Sequence, residues 1–161
     1  MNVIIVSGTP GTGKTKVAKL ISKKYNYKYI DVNSLIKSKK LFDYFDKKRN
    51  SRVVETNKLN KFLIDLINKL NTNMILDSHL SHFLPRKYVN LCIITKCDTK
   101  TLMARLKKRG YNKLKIKENI ESEIFNVCLN EAKENGHNIL VIDTTKGVKN
   151  INIKNLLQMC K

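Results

Sequence analysis

Val3-Ile4-Ile5-Val6-Ser7-Gly8-Thr9-Pro10-Gly11-Thr12-Gly13-Lys14-Thr15 is the stretch on which the reading of this chain turns. Val3 to Val6 is short, uncharged and β-branched throughout, which predicts a strand buried on both faces. It runs directly into Gly8-x-x-x-x-Gly13-Lys14-Thr15, the phosphate-binding P-loop pattern. An amphipathic helix pattern follows, with Val17, Ala18 and Ile21 on one side and Lys16, Lys19 and Lys23 on the other. Strand, glycine loop and helix start therefore come in the order the motif requires. Glycines at 8, 11 and 13 let successive N–H groups turn inward around a phosphate. The positive end of the helix dipole lies beneath them. Lys14 supplies a point charge for the β- and γ-phosphates, and the Thr15 hydroxyl can ligate Mg²⁺. The stretch predicts a protein that binds a nucleoside triphosphate.

A second stretch, Asn73-Met74-Ile75-Leu76-Asp77-Ser78-His79-Leu80-Ser81-His82, reads as another buried strand with Asp77 at its carboxyl end. Downstream of a P-loop, a carboxylate there anchors the Mg²⁺ shell; without one it would be a turn former or helix cap. His79 can orient an attacking water, relay a proton or brace the loop, or be a surface histidine bonded to backbone. Asp77, His79 and His82 fit no standard zinc spacing, and His82 receives no role. Further on, Arg105 and Arg109 stand four apart on a predicted helix that starts near Thr99. They form either a clamp for a transferring phosphoryl group or a solvated basic face.

The remaining segments fill in a single α/β domain of 161 residues. Residues 27–32 alternate as a second strand, with a short helix opening at Asn33 or Ser34. Residues 41–52 are aromatic and charged with poor periodicity, which predicts an inserted, mobile segment. A helix spans Thr56 to Leu70, a fourth strand residues 91–95 and a fifth residues 138–142. One long helix is predicted from near Lys115 to about Glu134, and a closing helix carries Ile153, Leu156 and Leu157. The expected fold class is α/β: a three-layer P-loop NTPase fold with a five-stranded parallel sheet. Four cysteines (Cys92, Cys97, Cys128, Cys160) form no C-x-x-C pair, which points away from a zinc site and from a disulfide framework, toward a reducing cytoplasm. The chain offers neither a membrane-spanning apolar run nor room for a signal peptide before the first strand. Its formal charge of +19 is compatible with contact to RNA or a ribonucleoprotein, or with a general bias toward Lys, Asn and Ile.

Four segments carry a resemblance: Gly8 to Thr15, Asp77-Ser78-His79, Arg105-Leu106-Lys107-Lys108-Arg109-Gly110-Tyr111-Asn112, and Glu118-Asn119-Ile120-Glu121-Ser122-Glu123-Ile124. Together they resemble the adenylate kinase isoenzyme 6 (CINAP-type) family over nearly the whole chain. Tyr44-Phe45-Asp46, Arg49 and Val53-Val54 fit it more loosely. The resemblance implies Mg²⁺-dependent transfer from ATP to AMP or another nucleoside monophosphate, a slow ATPase, and a role in small ribosomal subunit maturation through a small-subunit ribosomal protein. By position it implies that Gly11, Gly13, Lys14, Thr15 and Lys16 hold the triphosphate, with Arg109 reaching it from a lid at residues 108–117. Asp77 and His79 would serve metal and water, and residues 33–55 would receive the monophosphate, with Arg49 as its contact. Lys16 departs from the small hydroxyl residue common at its position, although its backbone N–H still serves. An ATP-gated assembly factor with incidental kinase activity is the alternative, and a kinase of another small metabolite is a third possibility.

Overall fold

Val3 and Ile5 pack on one side of β1 (Val3–Ser7), Ile4 and Val6 on the other, and all four are buried. That is the period-two demand of a strand covered on both faces. The computed structural model describes residues 1–148 together with Gln158 and Cys160. After β1 come α1 (Lys14–Tyr25), β2 (Lys28–Asp31), α2 (Val32–Ser38), β3 (Tyr44–Asp46), β4 (Ser51–Val53), α3 (Thr56–Leu70) and β5 (Met74–Asp77). The chain continues through two 3₁₀ turns to β6 (Leu91–Lys96), α4 (Thr99–Lys108), α5 (Lys113–Ile124), α6 (Val127–Glu134) and β7 (Ile139–Asp143).

Five strands form one parallel sheet in the order β2-β5-β1-β6-β7. One face packs on Val32 and Ile36 of α2, Leu59, Leu63 and Ile67 of α3 and Ala132 of α6. The other packs on Val17, Ala18 and Ile21 of α1. The result is the three-layer α/β fold expected. Because β1 is central, its loop opens between the carboxyl ends of β5 and β6, where open α/β sheets bind ligands. A smaller cluster of Leu102, Leu106 and Cys97, with Ile116 and Ile120 against it, joins α4 to α5. The predicted closing helix with Ile153, Leu156 and Leu157 lies outside the described residues.

Several local expectations need correction. Residues 41–52, whose periodicity is too poor to assign an element, contain an antiparallel hairpin of β3 and β4 with Tyr44 opposite Val53. Its base is fixed by Asp43, which accepts from the Glu55 N–H at 2.9 Å and pairs with Lys58. Three-residue strands are too short for periodicity to register. The helix after β2 starts at Val32, one or two residues earlier than expected, with Asp31 as its cap accepting from the Ser34 N–H at 3.1 Å. The long helix predicted from Lys115 to Glu134 is two helices, broken where Asn126 takes φ 53°. Asparagine tolerates this left-handed conformation better than most residues, and its side chain is held by the Lys96 ammonium. The last described strand also includes Asp143.

At Gly8, φ is +132° and a Cβ would lie 2.4 Å from the Thr95 carbonyl oxygen, so β6 leaves room for hydrogen only. Gly110 has φ +73° with nothing within 4 Å of a Cβ, so only conformational strain opposes substitution there. Gly110→Ala should therefore cost about 1 kcal/mol, and Gly8→Ala should exceed that by at least about 2 kcal/mol. Urea titration of both variants measures the difference; equal losses would mean the β6 contact relaxes freely.

Candidate functional site

The site is assembled at the carboxyl ends of β5, β1, β6 and β7. Gly13, at φ 93°, caps α1 without a side-chain bond, so the first N–H groups of that helix are left for a ligand. Lys14 follows it and is buried, with its Nζ donating to the Gly8 and Thr9 carbonyls at 2.8 and 3.0 Å. Burial pulls this lysine down from 10.5 to about 8, despite the opposing charge of Asp77. Thr15 Oγ1 donates to Asp77 Oδ2 at 2.6 Å, and the Tyr29 hydroxyl donates to the same oxygen at 2.9 Å. Burial, with the Asp77 carboxylate beside it, pushes the Tyr29 phenol up, so it stays a donor. Thr15, Asp77 and Lys14 thus converge from two elements separated by 62 residues.

Behind the loop, buried hydroxyls hold its shape. Thr12 Oγ1 bonds the Thr9 carbonyl and Thr95 Oγ1, both at 2.7 Å. Thr144, just past β7, donates its hydroxyl to the Thr12 carbonyl at 2.5 Å. Arg105 is bound into this frame: its guanidinium donates to Thr144 Oγ1 at 3.1 Å, to the Thr144 carbonyl at 2.7 Å and to the Gly11 carbonyl at 3.5 Å. Arg109, one turn on, is exposed, lines the cavity and lies close enough to Lys14 to lower it further. The two arginines share a helix face, yet one is part of the frame and the other lies at the opening.

His79 lines the same cavity and has no hydrogen bond among the described residues. Burial, and the neighbouring Lys14 charge, pull it down to about 3, so its imidazole is neutral across the physiological range. His82, which the sequence left without a role, is buried and doubly bonded. Its Nδ1 lies 2.7 Å from Ser7 Oγ and its Nε2 lies 2.9 Å from Glu131 Oε2. It ties the end of β1 to α6. Sequence reasoning also missed Tyr29, Thr144 and Glu131. Thr144 was findable, since it directly follows a strand at the level of the loop. Glu131 left no local signal, because its partner is 49 residues away.

These groups line a cavity of about 1050 Å³, at the upper end of the range for small-ligand sites. The β3–β4 hairpin and α5 wall its mouth and touch across it. Arg49 pairs with Glu118 at 2.9 Å, Asn112 Nδ2 donates to the Lys48 carbonyl at 3.1 Å, and Lys115 Nζ donates to the Asn50 carbonyl at 3.1 Å. All three contacts are exposed, and such pairs contribute about 0–1 kcal/mol each. Contacts of this kind hold the mouth only weakly. Lys16 is exposed at the start of α1.

Fold and site together define a P-loop nucleotide-binding protein, and a family model described as an AAA domain matches residues 4–126. A Methanocaldococcus jannaschii protein carrying a provisional adenylate kinase name is 40% identical over 149 residues, covering 92% of this chain and 80% of that one. The adenylate kinase isoenzyme 6 homolog of Caenorhabditis elegans is 30% identical, covering 98% and 87%. The homolog FAP7 of Saccharomyces cerevisiae is 32% identical, covering 95% and 77%. This chain belongs to the adenylate kinase isoenzyme 6 family, a group of adenylate kinase-like P-loop kinases. Shikimate kinase from Acinetobacter baumannii, in complex with shikimate, shares the fold at TM-score 0.65 and 13% identity, covering 99% and 92%.

The buried ammonium gives a stability test. Between about pH 8 and 10.5 the unfolded chain binds more protons at Lys14 than the folded one, so stability rises with pH through that window. Below pH 8 the full desolvation penalty, about 3 kcal/mol, is present. Allowing about 1 kcal/mol for each hydrogen bond lost to Gly8 and Thr9, Lys14→Met without nucleotide should be about 1 kcal/mol more stable than wild type at pH 7. Denaturant titrations should show that gap closing near about pH 9 and reversing in favour of the wild type by about pH 10; a constant gap would contradict the assignment.

Proposed function

We propose that this chain is a Mg²⁺-dependent nucleoside monophosphate kinase that converts ATP and AMP to two ADP, with ATP hydrolysis as a side reaction. The observation that carries the reading is the convergence of Lys14, Thr15 and Asp77 at one end of a cavity whose mouth is walled by a hairpin and a helix. A monophosphate kinase needs two anionic ligands brought end to end. A single cavity lined by Lys14, Arg49, Arg52, Arg109 and Lys115 supplies cations on both sides of such a junction. In this reading the chain is one domain, residues 33–55 receive the monophosphate and residues 108–117 act as the lid.

Thr15 Oγ1 and Asp77 Oδ2, hard oxygen donors 2.6 Å apart, fit Mg²⁺ rather than a softer ion. Thr15 and Asp77 would hold Mg²⁺, which when bound would supply positive charge to neutralise the phosphates. Gly11, Gly13 and the N–H groups of Lys14, Thr15 and Lys16 cradle the triphosphate. The Lys14 ammonium, now on two loop carbonyls, exchanges them for phosphate oxygens. Arg109 adds charge from the lid side, while Arg105 keeps the loop and the segment after β7 in register. Arg49 leaves Glu118 for the monophosphate. Transfer is in line and without a covalent intermediate, so rate comes from alignment and charge neutralisation. A neutral His79 accepts a hydrogen bond from water or from the acceptor; at about 3 it is a weak base. A short lid excludes water poorly, which accounts for hydrolysis beside transfer.

A second reading, an ATP-gated assembly factor on the small ribosomal subunit, draws support from the charge of +19. ATP consumption with and without AMP, at fixed Mg²⁺, separates the two. The kinase reading expects AMP to raise turnover with two ADP formed per ATP, and Lys14→Ala to lower the rate by about 100-fold or more. AMP without effect on a Lys14-dependent ATPase would favour the assembly factor; the next measurement is then co-sedimentation with small ribosomal subunits with and without ATP.

Two further outcomes follow from the geometry. Arg49→Ala should raise KM for AMP more than it lowers kcat, since the contact is made equally in ground and transition states. His79→Ala should slow hydrolysis by about 100-fold, while the wild-type pH–rate profile shows no inflection near 6.5. An inflection there that vanishes in His79→Ala would establish a titrating histidine instead.

A further inference from the structure

His82, Cys128 and Glu131 place an imidazole nitrogen, a thiol sulfur and a carboxylate oxygen all within 4.8 Å of one another. Among the described residues they are the only such group of three. Their spacing hides them in the sequence: His82 is on a 3₁₀ turn after β5, whereas Cys128 and Glu131 are i, i+3 on α6, and so on one face of that helix. The scattered cysteines pointed away from a zinc site, yet the fold brings one of them, Cys128, beside a histidine and a carboxylate.

We propose that His82, Cys128 and Glu131 form a binding site for a soft divalent cation of the Zn²⁺ class, sharing no residue with the Thr15–Asp77 pair and lining the same cavity. Four observations support it. The donor set of nitrogen, sulfur and carboxylate oxygen suits zinc and is foreign to Mg²⁺. His82 Nε2 already faces Glu131 Oε2 at 2.9 Å. Tetrahedral zinc needs donor separations of roughly 3.3–3.6 Å, so side-chain shifts of about an ångström on a half-exposed helix suffice. The other ring nitrogen of His82 is fixed on Ser7 Oγ at 2.7 Å, the outer-shell support that metal-bound histidines normally have. All three residues line the cavity, leaving the fourth coordination position to water or a ligand oxygen. Binding replaces the Cys128 thiol proton. The ion with thiolate, carboxylate and neutral imidazole is then a neutral unit, which the nearby Lys14 ammonium does not repel as a net charge.

The test uses the full chain without a polyhistidine tag and without nucleotide. Calorimetric titration with ZnCl₂ should show one ion per chain with Kd of about 10 µM or tighter. Co²⁺ in its place should give a near-ultraviolet thiolate-to-metal band. Cys128→Ser should abolish that band and weaken zinc at least about tenfold. Glu131→Gln, on the same half-exposed helix, should weaken zinc comparably while keeping the thiolate band. A cobalt spectrum without thiolate character, or zinc affinity unchanged in both variants, would overturn the proposal. Neither readout depends on catalysis, so failure of the kinase reading and failure of this site are distinguishable.

Discussion

A lysine ammonium buried at the end of a parallel sheet is the constraint around which this molecule is arranged. Lys14 lies out of bulk water at the start of α1, and that burial costs enough to pull it down to about 8. The chain offsets that cost with two backbone carbonyls of its own loop and with the carboxylate of Asp77. Carbonyls can turn inward there only because the loop is glycine-rich, and the loop can lie flat on β6 only because Gly8 has no Cβ. Stability is given up at this lysine, as expected of a site shaped for binding rather than for folding.

Around the lysine, polar side chains do what apolar packing does elsewhere. Thr12, Thr95 and Thr144 link the loop to β6 and to the segment after β7. Arg105 spans Gly11 and Thr144, so a residue suited by charge to phosphate serves as a strut. His82 ties Ser7 to Glu131 on the other flank. Buried networks of this kind are rigid when every member is satisfied, and the loop inherits that rigidity. At the cavity mouth the opposite holds. The Arg49–Glu118 pair and its neighbours are exposed and individually weak. The buried end of the cavity is stiff and its mouth loosely held, the combination found in sites that open and close around ligands.

Much of this was legible from local pattern. The β-branched run before the P-loop, the helix period of α1 and α3, and the apolar stretches at β5, β6 and β7 are signals that residues carry by themselves. The short hairpin was not legible, since three-residue strands lack a readable period. The break at Asn126 was not legible either, because a single left-handed residue leaves the apolar spacing of α5 and α6 nearly continuous. Asp77 could be placed because its position after a strand is a local fact. His82 could not, because its meaning lies in Ser7 and Glu131, 75 and 49 residues distant.

The sequence by itself determined the layered α/β class, the phosphate loop with Lys14 and Thr15, and the strand-end carboxylate of Asp77, because each is encoded in consecutive residues whose geometry follows from backbone chemistry. Tertiary structure alone decided that Tyr29 shares Asp77 with Thr15, that Arg105 braces the loop while Arg109 faces the cavity, and that His82, Cys128 and Glu131 meet. Those arrangements depend on which strands lie side by side and how helices settle on them. That is fixed by burial summed over the whole chain, and no window of sequence contains it.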